Sequence, residues 1–130
     1  MRDYVYFIST LRLRPISSFC DSYYQHLLKV RKDPKAIEHD IRTWGFVLTF
    51  KEAEHCVLTN NMDIHEYNME WACIEKVHYG FLPAFTNLEQ HFYRWVGGEK
   101  GKYVKMKNWP KKLEKYYKEQ HLVKMITTIG

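Results

Sequence analysis

Residues 42–80 constrain this chain more than any other stretch, because they spell out strand, helix, turn and strand in order. From Trp44 to Phe50 the sequence is almost unbroken apolar, the composition of a strand covered on both faces. Thr49 stands where a helix N-cap belongs, and Glu52 three residues on completes a capping box. Ala53, Cys56 and Val57 then fall on one helical face with Leu58 beside them. Asn60-Asn61 stops that helix, since asparagine tolerates the left-handed conformation at a C-terminus. A second apolar run, 71–77, ends at Gly80. The expectation is that 44–50 and 71–77 are neighbouring central strands connected through a helix over 52–60.

The flanks complete one sheet. Residues 4–13 are rich in β-formers and are closed by Arg14-Pro15, because proline cannot donate to a ladder. Phe19, Tyr23, Leu27 and Val30 are spaced like one face of a helix over 18–30, with Ser17 or Ser18 as its cap, and Asp33-Pro34 breaks it. Residues 35–41 fit either a second helical turn or an excursion. Two alternating runs, 90–96 and 102–108, flank Gly97, Gly98 and Gly101 and predict a β-hairpin. Pro110 suits the first turn of a helix to about His121, with Leu113, Tyr116 and Tyr117 as its apolar stripe. Residues 125–129 predict a short edge strand. The fold class is therefore a single α+β domain, residues 1–130, with a mainly antiparallel sheet and one to three helices. The 15–41 insert and the 111–121 helix are expected to be peripheral.

With 130 residues, 45% of them hydrophobic, the chain is long enough to bury a core and is not of disordered composition. Cys20, Cys56 and Cys73 form no short pairing pattern, which fits reduced thiols in a cytoplasm. The start is too short and polar for a signal peptide, and no run has the length of a transmembrane helix, so no membrane partner is expected. Charge is split. Between Glu99 and Lys124 nine Lys stand against three Glu, while between Lys51 and His91 two Lys stand against seven acids. A lysine-rich end suits nucleic acid or another polyanion, or simply a solvated helix and hairpin face.

Catalytic signatures are missing. His55-Cys56 are adjacent and point to different helix faces, and His65, Cys73, His78 and His91 lack the close pairs that let one turn present two zinc ligands. Cys56 and Cys73 lie in apolar stretches where thiols are inert. There is no nucleophile elbow, phosphate-cradling glycine loop or dinucleotide fingerprint, so no cofactor is expected. Asp63, Glu66, Glu70 and Glu75 include the carboxylates for an acid/base pair, or serve as polar surface. Arg12, Arg42 and Arg94 stand at strand ends or beside Trp44, Tyr93 and Trp95. A guanidinium forks onto phosphate or carboxylate and stacks on rings; equally, these arginines cover strand ends.

Several segments together resemble a family of small phage and prophage proteins. They are Ser9-Thr10-Leu11-Arg12, Trp44-Gly45-Phe46, Thr49-Phe50-Lys51-Glu52-Ala53 and Asn60-Asn61-Met62-Asp63-Ile64-His65-Glu66-Tyr67. Ala72-Cys73-Ile74-Glu75-Lys76-Val77, Gly80 and Phe92-Tyr93-Arg94-Trp95 continue the pattern. The likeness covers most of 4–12 and 42–109; the 15–41 insert and the lysine-rich end depart from it. It implies a phage origin and work inside the host bacterial cytoplasm. By analogy with small phage proteins that counter bacterial immunity, it implies an anti-defence sponge: a homo-oligomer that sequesters a small anionic, nucleotide-like signal without catalysis. The expected ligand surface is Arg12, Arg42, Trp44, Asn61, Asp63, Glu66, Tyr67, Arg94 and Trp95. Arg12 and Arg42 would hold phosphate or carboxylate, Trp44, Tyr67 and Trp95 would stack on a base, and Asn61, Asp63 and Glu66 would bind ribose hydroxyls or base edges, or close the turn. The alternatives are an inhibitor or adaptor that binds a host protein or nucleic acid through the basic end, and an enzyme that degrades a nucleotide signal.

Overall fold

The first strand decides the layout. In the computed structural model, which describes residues 4–15, 37–66, 68–78 and 89–127, β1 (Tyr4–Pro15) is buried almost continuously from Val5 to Leu11. It pairs antiparallel with β2 (Ile37–Val47) on one side and β3 (Trp71–His78) on the other. β4 (Glu89–Val96) and β5 (Lys102–Lys105) follow, giving a five-stranded antiparallel sheet of order β2-β1-β3-β4-β5. Helix α1 (Phe50–Leu58) covers one face and α2 (Lys111–Glu119) the other, so the fold is a single-domain α+β arrangement.

Each face has its own core. Tyr6, Ile8, Ala72, Ile74, Tyr93 and Tyr103 meet Ala53 and Val57 of α1. Leu11, Trp71, Cys73 and Phe92 meet Leu113, Tyr116 and Tyr117 of α2, with Ile126. Alternate residues of β1, β3 and β4 supply the two sides, as the two-residue period of a strand requires. The expected cap is present: Glu52 N donates to Thr49 Oγ1 at 3.1 Å, and Thr49 Oγ1 donates to Glu52 Oε1 at 2.9 Å.

Four expectations need correction. β2 and β3 are not neighbours, because β1 lies between them and β2 is a sheet edge. The apolar 44–50 run misled because β2 ends at Val47, Phe46 and Leu48 are about half exposed, and Phe50 already begins α1. Residues 37–41 are strand, not helical turn or excursion: Ile37, His39 and Ile41 alternate with Glu38 and Asp40 and pair with β1. α2 is part of the core instead of peripheral, since Leu113 is wholly buried beneath it. Residues 122–127 form no strand; side chains hold them, as described below. The helix expected over 18–30 lies outside the described residues.

Two glycine positions are dictated by backbone geometry. Gly45 sits at φ +145° where the β1–β2 register shifts beside Ile8 and Ser9, a bulge that a side chain would strain. In the hairpin, Gly101 lets the turn close on Trp95, because a Cβ there would meet Val96 O and the indole at under 3 Å.

Candidate functional site

The expected ligand surface assembles only in part. Arg12, Arg42, Trp44 and Trp95 all lie on the α1 face of the sheet. Arg42 spreads over the Trp44 ring at 4.3 Å, and Trp44 Nε1 donates to Thr10 Oγ1 at 2.9 Å. The turn after α1 brings Glu66 to Arg42 at 3.4 Å. Arg94 falls on the opposite face: it stands across from Trp71, whose side chain belongs to the α2 core, so it does not join this surface. Tyr67 lies outside the described residues.

The turn residues divide between structure and exposure. Asn60, left-handed at φ 49°, donates from Nδ2 to Asp63 Oδ1 at 3.2 Å and accepts His65 N at 2.9 Å. Asp63 therefore helps to close the turn. Asn61 is exposed, with Nδ2 3.8 Å from Cys56 Sγ.

Charge in this region opposes an anion. Arg12 is paired with Asp40 at 2.9 Å, and Arg42 with Glu66, so both guanidiniums already face carboxylates. Beside Glu66 opens a groove of about 710 Å³, lined by Asp63, Glu66, Glu70 and Glu99 around His65 and Trp95. The His65 ring lies flat on Trp95, 3.5 Å between centroids and 8° from parallel. Burial holds the imidazole below its ordinary pKa against the pull of Asp63, so no cation from His65 offsets the acids at neutral pH. Asp63, Glu66, Glu70 and Glu99 repel phosphate at short range.

A second opening has the opposite character. Lys105, Lys107 and Lys111 surround a cleft of about 890 Å³ floored by Phe92 and Trp109, with Gln90, His91 and Asn108 at its margin. It forms because β5 stops at Lys105, and Met106 N donates to Phe92 O at 2.8 Å before the chain turns away into α2. The margin of β4 at Gln90 and His91 is thereby left beside the 105–111 segment. Trp109 is fixed: its Nε1 donates to Gln90 Oε1 at 2.9 Å, and its ring packs 4.8 Å from Phe92. Gln90 Nε2 in turn donates to Glu75 Oε2 at 2.8 Å and to Lys124 O at 2.9 Å. Sequence reasoning missed this cleft as a site. The surplus of lysine after residue 99 marked its charge, but only the fold brings Gln90 against Trp109.

Neither opening carries a recognisable nucleophile with its base. The Cys73 thiol is fully buried, and burial and the Glu75 carboxylate push its pKa well above the ordinary value, so it stays protonated. Burial and a 2.6 Å bond to Glu54 likewise raise Tyr93 far out of the physiological range. Among the described residues no group of three or more His, Cys, Asp or Glu side chains is placed to hold a metal ion. Among them, too, no helix is long and apolar enough to cross a membrane. Comparison with protein families, curated proteins and solved structures found no match to this chain.

Proposed function

We propose that this protein is a non-enzymatic binding protein that captures a small anionic, nucleotide-like ligand in the basic cleft. The observation that carries the reading is the gathering of Lys107 and Lys111 beside Trp109 in one opening; Lys105, at its edge, is matched by Glu54 at 3.6 Å. Ammonium groups neutralise phosphate, an indole offers a base a stacking face, and the amide of Asn108 suits its hydrogen-bonding edges. The expected arginine surface is a poorer candidate for the phosphate, because its guanidiniums are matched by Asp40 and Glu66. The titratable partners at the cleft are tied to one another, His91 to Glu89 at 2.8 Å and Glu114 to Lys124 at 2.8 Å, which favours holding a ligand over transforming it. In line with the resemblance to small phage proteins, the ligand is proposed to be a host immune signal sequestered in the bacterial cytoplasm by a homo-oligomer.

A second reading has its own support. Lys112, Lys115 and Lys118 extend the basic surface along the exposed side of α2, beyond the cleft, as contact with a nucleic acid backbone would need. One experiment separates the readings. The protein is incubated with nucleotide extracts from phage-infected cells, washed and denatured, and the released material is analysed. Intact small nucleotide supports capture. Altered nucleotide points to an enzyme. Binding only to long RNA or DNA, with a steep fall in salt, points to the nucleic-acid reading.

A further inference from the structure

Among the described residues that line the basic cleft, one is acidic. Glu114, in the first turn of α2, lines its wall, and its carboxylate accepts a 2.8 Å hydrogen bond from Lys124 Nζ. That bond and the charge of Lys124 hold the Glu114 carboxyl below the usual range, so it is ionised at neutral pH and opposes any anion beside it. The same Lys124 ammonium lies 5.2 Å from the centroid of the Trp109 ring. Its backbone is anchored from below: Lys124 O accepts from Gln90 Nε2, and Ile126 N and Thr127 N donate to the buried Glu75 carboxylate. One lysine on a tethered segment thus faces both Trp109 on the floor of the cleft and the Glu114 carboxylate on its wall.

We propose that the Glu114–Lys124 pair gates the basic cleft, with an entering phosphate drawing the Lys124 ammonium away from Glu114 and onto itself. The inference rests on the anion-binding reading above. Both side chains are about half exposed, 51% and 52%, so water competes for the pair and opening it is easy. A phosphate offers more negative charge and more acceptor oxygens than one carboxylate, which sets the direction of the transfer. Because the Glu75 and Gln90 bonds fix the start of the Lys124 stem, only the side chain moves, and little ordering is required when the ligand arrives.

Titration calorimetry with pyrophosphate and with ADP, at low salt on the full chain, tests this. Wild-type protein binds both, and Lys107→Ala weakens binding on the order of tenfold. Glu114→Gln tightens it by about threefold to tenfold, since it removes repulsion and releases Lys124. The decisive comparison adds Lys124→Met to Glu114→Gln. A phosphate-contacting lysine costs roughly tenfold even there, whereas a lysine that only masks Glu114 costs nothing once the acid is gone. Circular dichroism confirms that each variant is folded. No gain in Glu114→Gln, or no loss on adding Lys124→Met to it, overturns the gate while leaving the binding reading standing. Absence of wild-type binding, or wild-type affinity in Lys107→Ala, overturns both.

Discussion

The Glu75 carboxylate accepts the backbone N–H of Ile126 at 2.9 Å, across 51 positions of sequence. Glu75 is 1% exposed on β3, and it also takes Thr127 N, Thr127 Oγ1 and Gln90 Nε2. A buried carboxylate is tolerated here because three donors of the returning chain and the Gln90 amide are directed at it. The same residue therefore pins the end of the described chain and, through Gln90, steadies Trp109 at the cleft.

Removing that acceptor leaves several buried donors without a partner. Each costs about 1–3 kcal/mol, so Glu75→Ala should destabilise the protein by roughly 3–5 kcal/mol. Glu75→Gln keeps the shape but turns one acceptor into a donor that faces other donors, at about 1–3 kcal/mol. Chemical denaturation gives the totals. Hydrogen exchange gives the location: the Ile126 and Thr127 amides should lose protection first. Unchanged exchange at those amides in Glu75→Ala would mean that the clamp does not hold the segment.

Cys73 and Lys115 set the extremes of the packing. Cys73 is wholly buried, and Cys73→Asp places an uncompensated charge there, costing about 3 kcal/mol or more. The Lys115 side chain is 78% exposed, with Glu119 at 3.9 Å, so Lys115→Asp should cost less than about 1 kcal/mol. Equal melting temperatures for the two variants would contradict this assignment of core and surface.

Two histidines make the fold sensitive to mild acid. Burial lowers His39, against the pull of Glu38 and Asp40, and lowers His65 against Asp63, both from an ordinary value of 6.5. The unfolded chain therefore binds protons that the folded chain refuses as pH drops below 6.5, and stability falls with it. Well above 6.5 both are neutral in either state, and the contribution is complete. Glu89, held below its ordinary 4.5 chiefly by its hydrogen bond to His91, adds its own loss only at lower pH. The urea midpoint should thus be lower at pH 5.5 than at 7.5, and His65→Phe, which keeps a ring against Trp95, should flatten part of the difference. A midpoint that holds level or rises on acidification is incompatible with this account.

What was legible in the sequence is mostly local. The Thr49–Glu52 cap, the glycine turn after Val96 and the apolar stripe of α2 depend on neighbours within a turn or two, and all are where the pattern puts them. Strand order is not local. Apolar content in 44–50 suggests a covered strand, but β2 is an edge with Phe46 and Leu48 half exposed, and β1 comes between it and β3 through pairing with residues 37–47 and 71–78. The ligand surface shows the same divide. Arg42 beside Trp44 does stack as the sequence suggests, but the carboxylate that neutralises it arrives from residue 66. The parity of β4 separates adjacent Arg94 and Trp95 onto opposite faces, which a list of basic and aromatic residues does not convey.

Arg42 and Lys107 separate the expected site from the one proposed. They belong to opposite ends of the sheet, whose edge strands are roughly 19 Å apart at ordinary strand spacing. Arg42→Ala removes an exposed pair and a stack on Trp44, with both partners of the pair 46% exposed, so it should cost about 1 kcal/mol or less. If the anion sits in the cleft, Arg42→Ala leaves nucleotide affinity within about twofold of wild type, because screening at physiological salt extinguishes a charge this distant. Lys107→Ala lowers affinity and also flattens its salt dependence, since one ammonium fewer meets the ligand. Parallel titrations of ADP over a range of salt concentrations provide both readouts. Loss of binding in Arg42→Ala, with its melting temperature retained and Lys107→Ala unaffected, would return the site to the arginine surface: phosphate would then have to displace Glu66 from Arg42 despite the acids around it.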